Sequence, residues 1–484
     1  MNSALFTDFY SLTMAQGYYK RGMNDTAVFE MFFRRQPFDG GYAIFAGLGT
    51  LLEQLADFSF SGSDIDYLKE LKLFEESFIE YLKSFRFKGS LWAMDEGTVV
   101  FPQEPLIRVE GNLIECQLIE GMLLNTINYQ SLIATKTCRA YLASGAGAVI
   151  EFGMRRAQGP DGAMSASRAA YIGGACGSSN TMAGKVFGIP VMGTMAHSWV
   201  MSFDSEEEAF DAYAALYPDR ASFILDTYDT LKSGIANAVR AGAKLAAKGK
   251  NFGVRLDSGD IQYLSTEVRK RLDEAGFTKA KITVSNELDE SIIETLVKAG
   301  APVDSWGIGS KMVTGASDAA FTGVYKLSAC RKEGGGTDPV MKFSDNPEKT
   351  TNPGIKQVWR ITDANDHAAA DVLSLDESGD KLESGFHRAF WHPSGDYRHF
   401  YHTIENVRPL LEPWIKNGKL SRPLPSLSEI RSHAAACLDQ FDSTYKRLLN
   451  PHVYKVAVTE KLRALKLDLI NKHLGNKNSG KNTL

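Results

Sequence analysis

The sequence predicts an α/β protein, an irregular (β/α) barrel accompanied by a discontinuous α+β sandwich domain and C-terminal helices. Three observations predict it. Between residues 148 and 308, short β-rich runs alternate with helical periodicities, and such βαβ series build parallel sheets. On either side of that block the pattern changes to strands separated by turn signals. The 484 residues also exceed the size at which one core keeps growing, so more than one domain is expected.

The β-rich runs are 148–152 (AVIEF), 189–192 (IPVM), 222–225 (SFIL), 252–256 (FGVRL), 281–284 (KITV) and 304–308 (DSWGI). Between them, 206–216, 231–248, 261–275 and 291–299 carry apolar residues at helical three and four spacing. Six such units favour a barrel over an open sheet, although a complete barrel has eight, so it is expected to be irregular. The barrel domain is placed at 131–323. Upstream, 27–33, 42–46 and 88–105 read as strands; downstream, 324–329, 340–343, 356–362 and 370–375 do, with loops at 334–336 and 345–353. Pairing across the barrel insertion would make one domain of 21–130 with 324–404. Within 405–474, the stretches 426–441 and 454–473 read as amphipathic helices, the first opened by Ser426 and Ser428 with Glu429 behind them. The polar stretch 475–484 reads as a disordered tail.

A formal net charge of −4 argues against a nucleic-acid partner, which calls for a strongly basic face. No apolar run approaches the roughly 18 residues of a membrane span. The opening MNSALFTD puts an acid where a secretory signal is basic and then apolar, so a cytoplasmic protein is expected. The five cysteines, Cys116, Cys138, Cys176, Cys330 and Cys437, are scattered singly, which suggests neither zinc nor disulfides but buried small side chains.

In a barrel the residues after each strand converge at one rim. Those are Phe152, Arg155 and Arg156; Thr194 and His197; Asp226 and Asp229; Arg255, Asp257, Ser258 and Asp260; Ser285 and Asn286; and Gly307, Gly309, Ser310 and Thr314. Paired arginines, a Gly-Ile-Gly-Ser loop and several hydroxyls suit a phosphate-bearing anion, because guanidinium forks and backbone N–H groups share its charge. The aspartates suit ribose hydroxyls or a phosphate-bound Mg²⁺, which prefers oxygen ligands. His197 could act as a base or accept a phosphoryl group, with Asp226 holding its far nitrogen. Taken singly, each Arg or Asp is as readily a helix cap or surface ion pair; it is their placement after successive strands that points to a phosphate–sugar site.

These residues resemble the nicotinate phosphoribosyltransferase family. The likeness runs through Thr7-Asp8-Phe9-Tyr10, Glu151-Phe-Gly-Met-Arg-Arg-Ala157, Gly193-Thr-Met-Ala-His197-Ser198, Leu225-Asp-Thr-Tyr-Asp229, Val254-Arg-Leu-Asp-Ser-Gly-Asp260, Gly307-Ile-Gly309 and Ser344-Asp-Asn-Pro-Glu-Lys-Thr-Thr351, covering roughly 5–400. The resemblance implies a barrel of the type II phosphoribosyltransferase kind. It implies that nicotinate displaces diphosphate from phosphoribosyl pyrophosphate to give nicotinate mononucleotide for NAD synthesis, coupled to ATP hydrolysis through a transient phosphohistidine at His197, with Asp226 as its partner and Mg²⁺ as cofactor. Nicotinate would lie between Phe152 and a Tyr10 that the N-terminal segment 1–20 brings from a neighbouring subunit of a homodimer, with Thr194, Arg255 and Asn180 on the substrate. Asp8, Arg155, Asp257, Asp260, Asn286, Gly309, Ser310 and Thr314 would serve the phosphoribosyl and diphosphate groups. The Mg²⁺ ligands stay open among Asp257, Asp260 and water.

Two other readings compete. Relatives that use nicotinamide resemble the chain around Ser179-Asn180-Thr-Met-Ala-Gly184 but carry an acid at the Asn180 position; an aspartate there would repel a carboxylate, so Asn180 leans toward nicotinate. Its alternative role is a helix N-cap. A non-catalytic sensor of phosphoribosyl ligands is expected to have lost His197, Arg255 or Asp257, and all three are present.

Overall fold

The computed structural model describes residues 3–23, 25–331, 336–346, 349–394 and 397–479. The chain divides into two compact units, Ile133–Ala319 and Met1–Leu132 with Ala320–Leu484.

The first unit is built on a six-stranded parallel sheet of β1 (Ala148–Glu151), β2 (Gly177–Ser178), β3 (Ser222–Ile224), β4 (Gly253–Leu256), β5 (Lys281–Val284) and β6 (Ser305–Ile308), in the order β2-β1-β6-β5-β4-β3. Among the described residues no ladder joins β3 to β2, so the ring stays open there and the barrel is irregular. Two expectations need correction at that opening. The run 189–192 forms one isolated bridge, Val191 to Ser178, instead of a strand, and the unanticipated strand is the Gly-Ser pair of β2, which carries no apolar signal.

Helices follow the strands, opened by side chains that satisfy their first N–H groups. Ser205, Asp260 and Asp289 cap Glu206–Leu216, Ile261–Glu274 and Glu290–Lys298. The helix expected over 231–248 begins with a wider π turn, Thr230–Gly234, before Ile235–Ala246. Gly234 is needed there because a Cβ would stand 2.1 Å from the Leu225 carbonyl oxygen. Strand alternation sets the chemistry: Val254 and Leu256 are fully buried, while Arg255 between them is partly exposed on the opposite face of the sheet.

The second unit holds a seven-stranded sheet in which Thr26–Phe33 pairs antiparallel with both Ile107–Asn112 and Gly323–Arg331, so strands before and after residues 133–319 share one sheet. Phe29 stacks on Tyr325 across that pairing, with ring centroids 4.8 Å apart. A six-stranded sheet contains Lys356–Thr362 and Ala368–Leu375. Three sequence expectations differ here. The strand near 340–343 is Thr337–Pro339. The segment 405–474 holds strands at Asn406–Pro409, Glu412–Lys416 and Lys419–Leu420 besides its helices. The helix expected from 454 starts at Glu460, because Val456–Val458 pairs with Asp371 to Leu373 as a buried parallel strand. That last helix runs to Ser479; the remainder of the expected tail, 480–484, and glycines 334 and 335 of the expected loop lie outside the described residues. Cys176 and Cys330 are partly exposed, unlike the other three cysteines.

Candidate active site

A parallel sheet puts every strand's carboxyl end on one side, and the hydrogen bonds at those ends form a continuous cluster in the unit Ile133–Ala319. Its centre is Arg255. The guanidinium donates from Nε to Ser285 Oγ at 2.8 Å, from Nη1 to Thr194 Oγ1 at 3.0 Å and from Nη2 to Asp257 Oδ1 at 2.7 Å. It also lies over the Phe152 ring, 5.5 Å from the centroid. Ser285 donates to the same Asp257 oxygen. Burial alone would raise the Asp257 carboxyl, but the Ser285 hydrogen bond and the Arg255 charge, with His197 contributing, hold it below the usual carboxylate range.

His197 opens the short helix His197–Met201. Its Nδ1 lies 3.1 Å from Thr227 Oγ1, and its Nε2 lies 3.6 Å from Asp257 Oδ2, beyond hydrogen-bond distance. The carboxylate facing the ring is therefore Asp257, a correction to the expected Asp226. Asp226 instead accepts from Ser258 Oγ at 2.5 Å, leaving Oδ1 buried without a partner among the described residues. Beneath the cluster, fully buried Glu151 accepts from the Gly153 N–H, from Ser167 Oγ at 3.0 Å and from Ser178 Oγ at 2.5 Å, which fixes the turn carrying Phe152. Gly307 supplies room for that ring: a Cβ there would stand 2.4 Å from Phe152 Cδ2.

The sequence matches three family models: the nicotinate phosphoribosyltransferase (NAPRTase) N-terminal domain over residues 5–128, the NAPRTase family over 148–377 and the C-terminal domain over 355–466. Nicotinate phosphoribosyltransferase of Bacillus subtilis is 42% identical over 470 residues, 97% of this chain and 95% of that protein. The Caenorhabditis elegans protein of the same name is 35% identical, covering 95% of this chain and 92% of its own. The chain belongs to the nicotinate phosphoribosyltransferase family. The crystal structure of human nicotinic acid phosphoribosyltransferase superposes with a TM-score of 0.84 at 32% identity, covering 96% of this chain and 99% of that one. A nicotinate-nucleotide pyrophosphorylase from Pyrococcus furiosus, TM-score 0.70 at 24% identity, shares the fold.

Several of the family motifs thus fall at the carboxyl ends of the parallel strands, and each expected site residue has a place. Phe152, Thr194 and Asp257 each contact Arg255, and His197 faces Asp257 at 3.6 Å. Arg155 is exposed on the turn Met154–Arg156. Asn286 is exposed at a φ of 109°, a conformation few non-glycine residues adopt and one often held at functional sites. Gly309 precedes the short helix Ser310–Val313, and the Thr314 hydroxyl is turned back onto the Ser310 carbonyl at 2.7 Å. Asp260 is exposed but accepts from the Tyr263 N–H as a helix cap. Asn180 departs most from expectation. It is 2% exposed, caps Thr181–Phe187 through the Ala183 N–H and donates to Ser167 Oγ at 3.1 Å, so its amide supports the Glu151 turn instead of facing a ligand. Asp8 and Tyr10 belong to the other unit: Asp8 precedes the helix Phe9–Lys20 without capping it, and the Tyr10 phenol, hydrogen-bonded to Glu120, is pushed up to about 12 by burial and that carboxylate's charge.

Sequence reasoning missed Thr227 and Glu151. A carboxylate inside the apolar run AVIEF is a signal in itself, because a buried charge survives only with dedicated donors. Thr227, between two aspartates at a strand end, carried none.

Proposed function

We propose that the chain makes nicotinate mononucleotide and diphosphate from nicotinate and phosphoribosyl pyrophosphate, in the cytoplasm and toward NAD, with ATP hydrolysis coupled through a phosphorylated His197. Arg255 carries the reading. Three of its five N–H donors are engaged, and the guanidinium lies over an aromatic ring, so two donors remain to bind a carboxylate on a flat ring stacked against Phe152. A neutral carboxamide would gain much less from that charge, which favours nicotinate over nicotinamide.

The pyridine nitrogen would attack the anomeric carbon as the C–O bond to diphosphate breaks. Positive charge builds on the ribose, and the Asp257 carboxylate, held ionised by Ser285 and Arg255, is the group to stabilise it while positioning the ribose hydroxyls. Arg155, Asn286 and the 309–310 backbone would meet the phosphates. Among the described residues no three His, Cys, Asp or Glu side chains converge as a metal cage. Mg²⁺ usually takes one or two carboxylates with substrate phosphates and water, and the unpartnered buried Oδ1 of Asp226 fits that need. Bound there, Mg²⁺ would offset the charge of the departing diphosphate. An imidazole nitrogen of His197 would attack the terminal phosphorus of ATP, releasing ADP, and water would later free phosphate. The exposed aromatics Phe6, Phe9 and Tyr10 at the N-terminus support a homodimer in which this segment, with Asp8, completes a neighbour's site.

Steady-state rates on nicotinate and nicotinamide test the substrate: a preference of at least 100-fold for the acid that collapses in Arg255→Met is expected, and equal rates on both would overturn it. Acid-labile label from γ-³²P-ATP, absent in His197→Ala, tests the coupling; undiminished labelling in that variant would refute it.

A further inference from the structure

Far along the chain from the residues above, two cavities within the unit of Met1–Leu132 and Ala320–Leu484 meet at His392, Pro393 and Ser394. The smaller, about 150 Å³, is walled by Asn352, Arg463 and Lys466; the larger, about 360 Å³, by His399, His452 and Tyr454. Among the described residues, neither lining contains a carboxylate.

Lys466 is the group this leaves unanswered. Its Nζ donates to Asn352 Oδ1 at 2.8 Å and to the Pro393 carbonyl at 2.6 Å, both neutral, and one N–H remains. Burial, reinforced by repulsion from Lys356, pulls its ammonium down to about 8. The carboxylate nearest that second cation, Glu30, is committed to Lys356 at 2.8 Å. Arg463, at the same wall, is fixed over the Trp391 ring 3.8 Å from its centroid and pairs with Glu460 at 2.8 Å. Among the described residues this ammonium faces only neutral oxygens; a desolvated charge so placed is unfavourable, and a bound anion relieves it. On the other side, burial lowers His392 and His399, so these imidazoles are neutral at pH 7 and offer flat, hydrogen-bonding faces. His452 is held stacked on Tyr445 and Tyr454 on Phe101, with centroids 4.8 and 4.0 Å apart. The larger cavity falls in the range of small-molecule sites, roughly 300–1,000 Å³.

We propose that these joined cavities bind a phosphomonoester of mononucleotide size, its phosphate held at Lys466 and its flat organic body against His392, His399 and His452. The site is independent of the proposed chemistry at Arg255.

Reductive methylation of the full-length protein by formaldehyde and cyanoborohydride, mapped by peptide mass spectrometry, reads the Lys466 amine directly. Millimolar AMP is expected to slow methylation of Lys466 at least fivefold while exposed Lys472 keeps its rate. Inorganic phosphate should protect partially and adenosine not at all. The AMP protection should persist in His197→Ala and weaken in His399→Leu. An unchanged Lys466 rate under AMP, equal protection by adenosine, or loss of protection in His197→Ala would each overturn the proposal.

Discussion

Gly307→Ala tests the geometry of the candidate site with a single methyl. The new Cβ would stand 2.4 and 2.6 Å from Phe152 Cδ2 and Cε2 and 3.4 Å from Ser285 Cβ, whereas ordinary contacts begin near 3.4 Å. The Phe152 ring must therefore give way by about 1 Å. Its backbone is tethered, since its N–H bonds the Ile308 carbonyl at 2.8 Å and Glu151 grips the following residue, so the side chain has to move. Overpacking of this kind costs about 1–3 kcal/mol, a few degrees in Tm for a domain of this size. Misplacing a binding surface by about 1 Å can cost on the order of 10²-fold in rate. With phosphoribosyl pyrophosphate saturating, kcat/KM for nicotinate is expected to fall roughly 10- to 100-fold, mostly through KM. Adding Phe152→Leu relieves the clash and should restore Tm without restoring KM. A nicotinate KM within twofold of wild type, alongside the Tm loss, would refute the assignment of Phe152 to the ring-binding surface.

Thr227→Val removes the hydroxyl on His197 Nδ1 and is expected to slow His197 phosphorylation about tenfold, roughly 1.4 kcal/mol, with nicotinate KM unchanged; an unaltered labelling rate would exclude Thr227 as a positioning residue. Asp257 is held below its unfolded pKa of about 3.9, so its stabilising contribution is present above that value and lost as pH falls through the lower folded one. The stability difference between wild type and Asp257→Asn should accordingly stay flat from pH 7 to 5 and shrink only below about pH 4; a decline already between pH 7 and 5 would contradict the shift. Arg360 and Asp371 form a fully buried pair with contacts of 2.9 and 2.6 Å, so Arg360→Met should lower unfolding free energy by about 3–5 kcal/mol in denaturant titrations, most of it recovered by adding Asp371→Leu. Additive losses in the double variant would argue against the pair as the cause.

How legible an element was depended on how much of its signal is local. Strands β4 and β5 stood out because buried Val254, Leu256, Ile282 and Val284 alternate with partly exposed or exposed neighbours. Strand β2 did not, because two small residues become a strand only through β1 beside them. Val456–Val458 sat inside a helical reading until its pairing with the 371–373 backbone overrode that periodicity. At the site, Asp260 and Asn180 show the limit of residue type as evidence, since both spend their side chains on helix N-termini. His197 and Asp226 likewise looked like partners, being an imidazole and an acid at neighbouring strand ends, but side-chain direction gave the ring to Thr227 and Asp257.

The sequence by itself determined that strands and helices alternate through the middle of the chain, and that Arg255 and Asp257 stand at the end of one of those strands. Period-two and period-3.6 burial are properties of neighbouring residues, and the family's motifs are contiguous. Only the tertiary structure decided which donor meets which acceptor: the Arg255 fork on three partners, the Asp226 oxygen that no described residue meets, and the Lys466 ammonium on the neutral oxygens of Asn352 and Pro393. Those pairings join residues as many as 114 positions apart, and no local pattern records the distances or the water they exclude.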